Sequence, residues 1–159
     1  MRHTSRFLVA AGLLTATFAM GVTTASAVQW GPVSTWYGGD KVASASGRFT
    51  NENNTYARNI ITLNDEKADG NPVYAKARFL YYGSMDVCFE VGGTCWWEKS
   101  NQSTDEYGTA NTPVDVTKRS TLEAEGWKAR TKTNVCAQMG FPVPDSCSDP
   151  DDGKATFDY

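Results

Sequence analysis

Apolar and polar residues alternate along this chain from Val42 onward, and clusters of Gly, Asn, Asp and Pro separate the alternating runs. Alternation with a period of two predicts β-strands with one buried face, and no stretch keeps a helical period beyond about two turns. The predicted strands cover residues 41–50, 55–64, 73–82, 85–91, 94–99, 114–122, 126–136 and 154–159, with 33–37 as an extra edge strand. This series of short strands predicts an all-β fold, an antiparallel β-sandwich of immunoglobulin-like or jelly-roll-like type.

Two of these strands show the alternation most clearly. In strand 73–82 the predicted inner residues are Val73, Ala75, Ala77, Phe79 and Tyr81, and the predicted outer residues are Tyr74, Lys76, Arg78, Leu80 and Tyr82. In strand 126–136 the predicted inner residues are Trp127, Ala129, Thr131, Thr133 and Val135, and the predicted outer residues are Lys128, Arg130 and Lys132. Each pattern is typical of an antiparallel strand with one face in the core and one face in solvent.

The N-terminal segment 1–27 has the three parts of a secretory signal peptide. Arg2 and Arg6 give a positive start, residues 7–22 are mostly apolar, and Ala25-Ser26-Ala27 offers the small residues that a signal peptidase needs. We expect cleavage before Val28, and the remaining segment 28–159 is long enough for a single domain. Because the residue directly after the cleavage point is not a cysteine and no apolar tail ends the chain, we expect a secreted, extracellular protein without a membrane anchor.

Charge and side-chain chemistry narrow the functional classes. Without Arg2 and Arg6 the chain has 15 − 2 = 13 basic and 18 acidic residues, a net charge of −5, which is a poor match for nucleic acid. The only histidine, His3, lies in the signal segment. The mature chain therefore lacks the residue on which Ser-His-Asp triads, Cys-His pairs and His-zinc sites depend, and we expect neither catalysis nor a cofactor.

All four cysteines lie in the predicted exported domain, where an even number of cysteines indicates disulfides. Three pairings are possible. We favour Cys88 with Cys95 and Cys136 with Cys147, because each couple flanks a short, turn-rich loop, and each such bond is worth roughly 2.5 to 3 kcal/mol. Zinc is the competing interpretation, but the spacing of the thiolates matches no usual set of metal ligands.

An acidic C-terminal segment suggests a second kind of metal site. It contains Asp145, Asp149, Asp151 and Asp152, and clustered oxygens on a turn are the ligands that calcium prefers. Ser148 and Pro150 stand where the first and third ligands of an EF-hand would be needed. We therefore interpret this segment as a turn and predict no metal site.

Two segments carry a family resemblance. The chain has Leu63-Asn64-Asp65-Glu66-Lys67-Ala68-Asp69-Gly70 leading into Val73-Tyr74-Ala75-Lys76, and a late strand ending in Val135-Cys136 before a proline-containing loop closed by Cys147. In these features it resembles the small secreted β-domain proteins of actinomycetes such as Streptomyces, most of which have no assigned function. The resemblance implies a secreted β-sandwich and supplies no catalytic residues.

Aromatic residues are the most promising candidates for ligand binding, because flat apolar sugar faces stack on aromatic rings. Neighbours in a strand point to opposite faces, so one residue of the Trp96-Trp97 pair must face outward. If residues 87, 89 and 91 face the core, then Cys88, Cys95 and Trp97 face outward and Trp96 faces inward. The candidate ligand-binding residues are therefore Trp97, Tyr82, Tyr74 and Arg78, unless the polar loop 100–113 covers them.

These observations favour a monomeric, secreted, non-catalytic β-sandwich that recognises an extracellular polysaccharide or another cell-surface ligand. One alternative is a protein-binding inhibitor or effector, which would present loop 140–146 between Cys136 and Cys147. Another is a glycoside hydrolase, which needs only two carboxylates and would draw them from Glu90, Glu98, Glu123 and Glu125. With 18 acidic residues in the chain, pairs of this kind arise by chance, so we do not favour the hydrolase.

Overall fold

Nine β-strands make up the described part of the fold. The computed structural model describes residues 27–84, 88 and 93–159, and these contain no helix. The strands are β1 (Val28–Tyr37), β2 (Asp40–Glu52), β3 (Tyr56–Asp65), β4 (Val73–Gly83), β5 (Cys95–Ser103), β6 (Val114–Thr121), β7 (Gly126–Ala137), β8 (Ser146–Cys147) and β9 (Gly153–Asp158). A search for helices that could cross a membrane finds none among the described residues. The all-β prediction is confirmed.

The strands form two antiparallel sheets that pack face to face as a β-sandwich. The first sheet has the order β1-β2-β3-β6. The second has the order β5-β4-β7, with β8 and β9 pairing to successive parts of the free edge of β7. The chain crosses from one sheet to the other at three connections, β3–β4, β5–β6 and β6–β7.

Most predicted strand positions are confirmed, with shifts of a few residues at the ends. β1 is longer than the predicted edge strand 33–37, because its N-terminal half pairs with β2 up to Phe49. The predicted strand 85–91 lies outside the described residues except for Cys88. The predicted signal segment also lies outside them, apart from Ala27.

The core lies between the two sheets and is filled by the inner residues of each strand. In β4 burial alternates strictly, so the predicted inner set from Val73 to Tyr81 is confirmed. Phe49 of β2 contacts Phe157 of β9 and Phe79 of β4, with ring centroids 4.7 and 6.1 Å apart. These three rings bring strands of both sheets together, and this burial of apolar surface is the main force that holds the layers.

A polar contact is buried inside this apolar core. The indole Nε1 of Trp30 donates to Oδ1 of Asn59 at 2.9 Å, and Nδ2 of Asn59 donates to the hydroxyls of Thr131 and Thr133 at 3.0 and 2.9 Å. Asn59 is in the first sheet and the two threonines are in the second. Both threonines face inward as predicted, and the amide of Asn59 satisfies their hydroxyls, which would otherwise be costly to bury.

Both predicted disulfides are present. Cys88 bonds with Cys95 and closes the connection between β4 and β5, and Cys136 of β7 bonds with Cys147 of β8. All four cysteines are therefore paired. Disulfides of this kind indicate an oxidising environment outside the cytoplasm.

Candidate functional site

The outer face of the second sheet carries most of the candidate ligand-binding residues. Its register places side chains of β5, β4, β7 and β9 in rows across the strands. The first row is Trp96, Tyr82, Lys128 and Asp158, the second is Glu98, Leu80, Arg130 and Thr156, and the third is Asn101, Arg78, Lys132 and Lys154. As predicted, Tyr74, Lys76, Arg78, Leu80 and Tyr82 alternate with the buried residues of β4.

Three aromatic side chains meet at one end of this face. Tyr82 lies between Trp96 and Trp127, with ring centroids 5.3 and 5.5 Å away respectively. The ring of Trp127 stands at 89° to that of Tyr82, whereas Trp96 is tilted by 47°. Trp127 is also 41% exposed. We call Tyr82, Trp96 and Trp127 the aromatic surface.

Trp127 is on this face because of a bulge in β7, so its predicted inward position is wrong. Tyr82 pairs with Lys128 but the next residue, Gly83, pairs with Gly126, which leaves Trp127 as an extra residue. A Cβ added to Gly83 would collide with the carbonyl oxygen of Glu125, so glycine is needed for this close approach. The bulge interrupts the alternation and turns the indole outward.

The orientation of the Trp96-Trp97 pair is also the reverse of the prediction. Trp97 pairs across the strands with the buried Tyr81, packs against its ring at 6.3 Å and adjoins the core. Trp96 pairs with the outward Tyr82. The prediction assumed that Cys88 faces outward, but Cys88 is buried, and the face that Cys95 shares with Trp97 is the inner one. Trp97 is therefore not part of the outer surface.

Polar side chains hold the aromatic surface in place. The guanidinium of Arg130 lies 3.8 Å from the centroid of the Trp96 ring, and its Nε donates to the hydroxyl of Thr156 at 3.0 Å. The hydroxyls of Tyr82 and Thr94 are 2.7 Å apart. One face of Trp96 is thus already covered by a cation–π contact, worth about 0.5–1 kcal/mol at an exposed site. Trp127 presents the more accessible ring.

Tyr74 and Arg78 lie on the predicted face but away from the aromatic surface. Tyr74 is eight residues from Tyr82 along β4, a separation of about 27 Å in an extended strand. Its hydroxyl donates to Asp145 at 2.5 Å, and burial together with this carboxylate raises the pKa of Tyr74 to about 12. Arg78 donates from Nε to Glu98 at 2.7 Å. Of the four predicted ligand-binding residues, only Tyr82 is part of the aromatic surface.

The loop predicted to cover the aromatic rings lies at the opposite end of β4. β5 extends to Ser103, so the connection to β6 consists of residues 104–113. Its residue Tyr107 exchanges both backbone hydrogen bonds with Val73, at 2.7 and 2.8 Å, and Thr104 pairs with Ala75. These contacts hold the segment across the start of β4, not over Tyr82 at its end.

Three cations stand side by side in the third row of this face. Arg78 of β4 is paired in register with Lys132 of β7, which is paired with Lys154 of β9. Arg78 forms an ion pair with Glu98, and Lys132 forms one with Asp151 at 2.6 Å. The hydrogen bond from Lys132 lowers the pKa of Asp151 below its ordinary value. We call Arg78, Lys132 and Lys154 the cation row.

Several of the carboxylates considered for hydrolysis and for calcium have separate partners. Glu98 pairs with Arg78, Glu123 pairs with Lys99, and Glu90 lies outside the described residues. In the C-terminal segment, Asp149 accepts from the backbone N–H of Asp151 at 2.8 Å, an ordinary turn contact. No group of three His, Cys, Asp or Glu residues with the geometry of a metal site occurs in the described part of the chain.

The loop between the second pair of cysteines presents a different apolar surface. Phe141 is fully exposed, and Val143 beside it is 39% exposed. At the base of the loop, the hydroxyl of Ser146 donates to the carbonyl of Trp36 at 3.0 Å. Trp36 is itself 60% exposed at the end of β1. The loop 140–146 and the end of β1 thus form a second exposed apolar region.

The outer face of the first sheet has a shallow cleft. Its volume is about 430 Å³, and its wall includes Arg48, Ile60, Thr62 and Asp115. The hydroxyl of Thr62 donates to Asp115 at 2.6 Å. This cleft has a single nearly buried aliphatic residue, Ile60, under a polar rim.

Sequence reasoning missed Trp96, Trp127 and Arg130. The Gly126-Trp127 dipeptide at the start of a strand was the one available signal, because glycine inside a strand pattern often marks a bulge. Comparison with known proteins adds no residues to the site: no family model, no curated protein and no solved structure matches this chain.

Proposed function

We propose that this protein is exported and binds an extracellular polysaccharide through the aromatic surface. The observation that carries the proposal is the right angle between Trp127 and Tyr82 on the outer face of the second sheet. Two rings at a right angle form a corner, in which a sugar ring can stack its apolar face on one aromatic ring and rest its edge against the other.

The surroundings of this corner suit a carbohydrate. Lys128 lies in the same row as Tyr82, and Asp158 is the next residue of that row. Oδ1 of Asp158 lies 3.4 Å from Nζ of Lys128. Together with the hydroxyl of Thr94, they supply hydrogen-bond donors and acceptors around an apolar ring, which is the combination that sugar hydroxyls need. Because Arg130 and Thr156 fix Trp96, the supporting ring is ordered before a ligand arrives.

Two further features support a location outside the cell. Both disulfides need an oxidising compartment, and segment 1–27 has the composition of a signal peptide. Soluble extracellular polymers are abundant in such surroundings. A binding surface built from side chains on strands suits a protein that acts by recognition alone.

Affinity electrophoresis tests this function. The mature protein, residues 28–159, is run in native gels containing xylan, β-glucan or polygalacturonate. We expect at least one polymer to retard the protein, and Trp127→Ala to remove about 90% of the retardation. The Tm of this variant should fall by only a few degrees, since Trp127 lies at the surface and is 41% exposed.

Trp36→Ala is the matched control, because Trp36 is an exposed tryptophan on the first sheet. It should bind like the parent. The proposal fails if no polymer retards the parent, or if Trp127→Ala and Trp36→Ala are retarded equally.

The exposed Phe141 favours a second candidate function, the presentation of loop 140–146 to a protein partner. The disulfide Cys136–Cys147 closes this loop, and the turn hydrogen bond from Val143 N to Gly140 O is 2.9 Å long. A rigid loop loses little entropy on binding. Proteinase K digestion tests the rigidity: survival of residues 138–147 in the oxidised protein supports this function, and rapid cleavage there excludes it.

A further inference from the structure

The outer face of the second sheet is basic in a chain that is acidic overall. It carries six cations, namely Lys76, Arg78, Lys128, Arg130, Lys132 and Lys154. Four carboxylates contact residues of this face, namely Glu98, Asp145, Asp151 and Asp158. The face therefore has a charge of 6 − 4 = +2, and if the domain begins at Val28, with a net charge of −5, the rest of it carries −7. Such segregation attracts an anionic ligand to this face.

The cation row concentrates this charge in a way that the fold does not require. Like charges directly opposite each other on neighbouring strands are destabilising, and here three of them are consecutive. Arg78 and Lys132 each have one carboxylate partner. Lys154 is exposed and forms no ion pair of its own in the described ranges, although its charge helps Lys132 to lower the pKa of Asp151. Three cations thus share two carboxylates, and a ligand with negative charge would balance the excess positive charge.

The row stands in line with the aromatic surface. Tyr82 and Arg78 are four residues apart on β4, so the two features are about 14 Å apart along the strand direction. Between them lies the second row, which contains no aromatic ring, and its one carboxylate, Glu98, is paired with Arg78. A linear polymer that stacks one sugar on Trp127 can thus continue along β4 and β7 to the cations.

We infer that the ligand of this face is an anionic polysaccharide, one whose uronic-acid carboxylates contact the cation row while another sugar of the same chain stacks on the aromatic surface. This inference rests on the proposed function and adds the chemical class of the polymer. Exposed charge contacts are individually weak, so the row contributes through the number of contacts and through faster association.

Single-stranded nucleic acid is also a polyanion with flat rings, but the geometry favours a polysaccharide. Nucleic-acid surfaces stack successive bases on several aromatic side chains along the strand. Here the aromatic surface has one open ring, Trp127, and it is followed by Leu80 and Arg130 rather than by further rings. The disulfides also indicate a compartment outside the cytoplasm.

The test compares polygalacturonate with its fully methyl-esterified form, because the two polymers share a backbone and differ in charge. Isothermal titration with the mature protein should give about tenfold tighter binding to the acid form, and this preference should decrease as salt is added. Equal binding of both forms, with Trp127→Ala still abolishing it, would overturn the anionic inference and leave the proposed function standing.

Two triple variants with the same net charge test whether the outer face of the second sheet is the one that binds the polymer. Arg78→Gln/Lys132→Gln/Lys154→Gln removes the cation row, and Arg48→Gln/Arg58→Gln/Arg119→Gln removes three cations from the first sheet. The first variant should lose about tenfold in affinity for polygalacturonate and the second should bind like the parent. Equal losses in both would show that net charge alone acts and would overturn the inference.

Two additional measurements keep the result interpretable. If the first triple variant does not fold, Lys154→Gln alone should lose about twofold, since Lys154 is exposed and forms no ion pair in the described chain. A deoxythymidine oligonucleotide serves as the competing polyanion. If it binds more tightly than polygalacturonate and shows the same dependence on Trp127 and the row, the polysaccharide assignment is wrong.

Discussion

The outer faces of the two sheets both face solvent, but they carry different kinds of side chain. On the first sheet many outward side chains are short and hydroxylated, with Ser44, Ser46, Thr50, Thr62 and Thr117 among them. Its opposed arginines, Arg58 and Arg119, share the carboxylate of Glu52. On the second sheet the outward side chains are long, and they include the aromatic surface and the cation row.

This difference shows which features the fold requires and which it only tolerates. Serine and threonine satisfy a solvent-facing sheet, since they fit β-structure and are readily hydrated. Exposed indoles and consecutive cations cost free energy in the unliganded protein. The first sheet has one exposed indole, Trp36, and one pair of opposed arginines, but neither a cluster of three aromatic rings nor a row of three cations. The presence of both on the second sheet is best explained by a ligand.

The contrast between the two faces depends on whether Trp96 or Trp97 lies on the outer face of β5. Substitution of these residues should have the largest effect on the free energy of unfolding. Trp97→Ala should lower the free energy of unfolding by about 3 kcal/mol, because Trp97 packs against Tyr81 beside the core. Trp96→Ala should cost about 1 kcal/mol, the approximate value of its contacts with Arg130 and Tyr82. Urea denaturation of the oxidised proteins measures both.

A larger loss for Trp96→Ala than for Trp97→Ala would show that the faces of β5 are assigned the wrong way round. The aromatic surface would then have to be redefined with Trp97. Tyr56→Ala, at an exposed aromatic residue of the first sheet, controls for the loss of aromatic area at a surface.

Sequence alone predicted the sandwich because its signals are local and repeated. Burial in β4 follows the period of two without exception, and turn residues separate the strands. The disulfides were also predictable, since each joins cysteines on either side of one short connection. What failed was local register: the bulge at the start of β7 turned Trp127 outward, against its predicted inward position.

The site was harder to predict because it depends on pairing between distant strands. The composition of residues 94–99 does not say which tryptophan pairs with Tyr82; only the register of β5 against β4 decides it. Arg130 was correctly placed on the outer face, but its contact with Trp96 joins β7 to β5, two strands that are far apart in the chain and separated by β4 in the sheet. The cation row likewise exists only because β4, β7 and β9 are aligned as they are.

The comparison also predicts a different dependence on pH for the first sheet. The hydrogen bond from Arg119 lowers the pKa of Glu52 below its ordinary value of 4.5. A carboxyl group with a lowered pKa stabilises the folded state above the unfolded-state pKa, and this contribution is lost as the pH falls through the folded-state pKa. Glu52→Gln should therefore lower the Tm by about 2 °C at neutral pH, and by progressively less as the pH falls below 4.5.

Asp105→Asn is the control for this measurement, because it removes the same charge from an exposed residue of the 104–113 segment. Its Tm should stay within about 0.5 °C of the parent at neutral pH. If Glu52→Gln has no effect at neutral pH, the two arginines do not need their shared carboxylate. The first face would then tolerate opposed cations as the second does, and the contrast between them would lose its meaning.

The smallest expected effect comes from a substitution that gives one position of the second sheet a residue type found on the outer face of the first. It compares the two faces most directly. Lys154→Thr removes the cation that pairs in register with Lys132 and provides a hydroxyl like those of the first sheet. Relief of like-charge repulsion and a better strand residue should raise the free energy of unfolding by about 0.3 kcal/mol at low salt, and by less in molar salt, where the charges are screened. A variant that is more stable but binds polygalacturonate more weakly separates folding from recognition at this residue. A loss of stability instead would mean that Lys154 helps to hold the sheet, and the cation row would need no ligand to explain it.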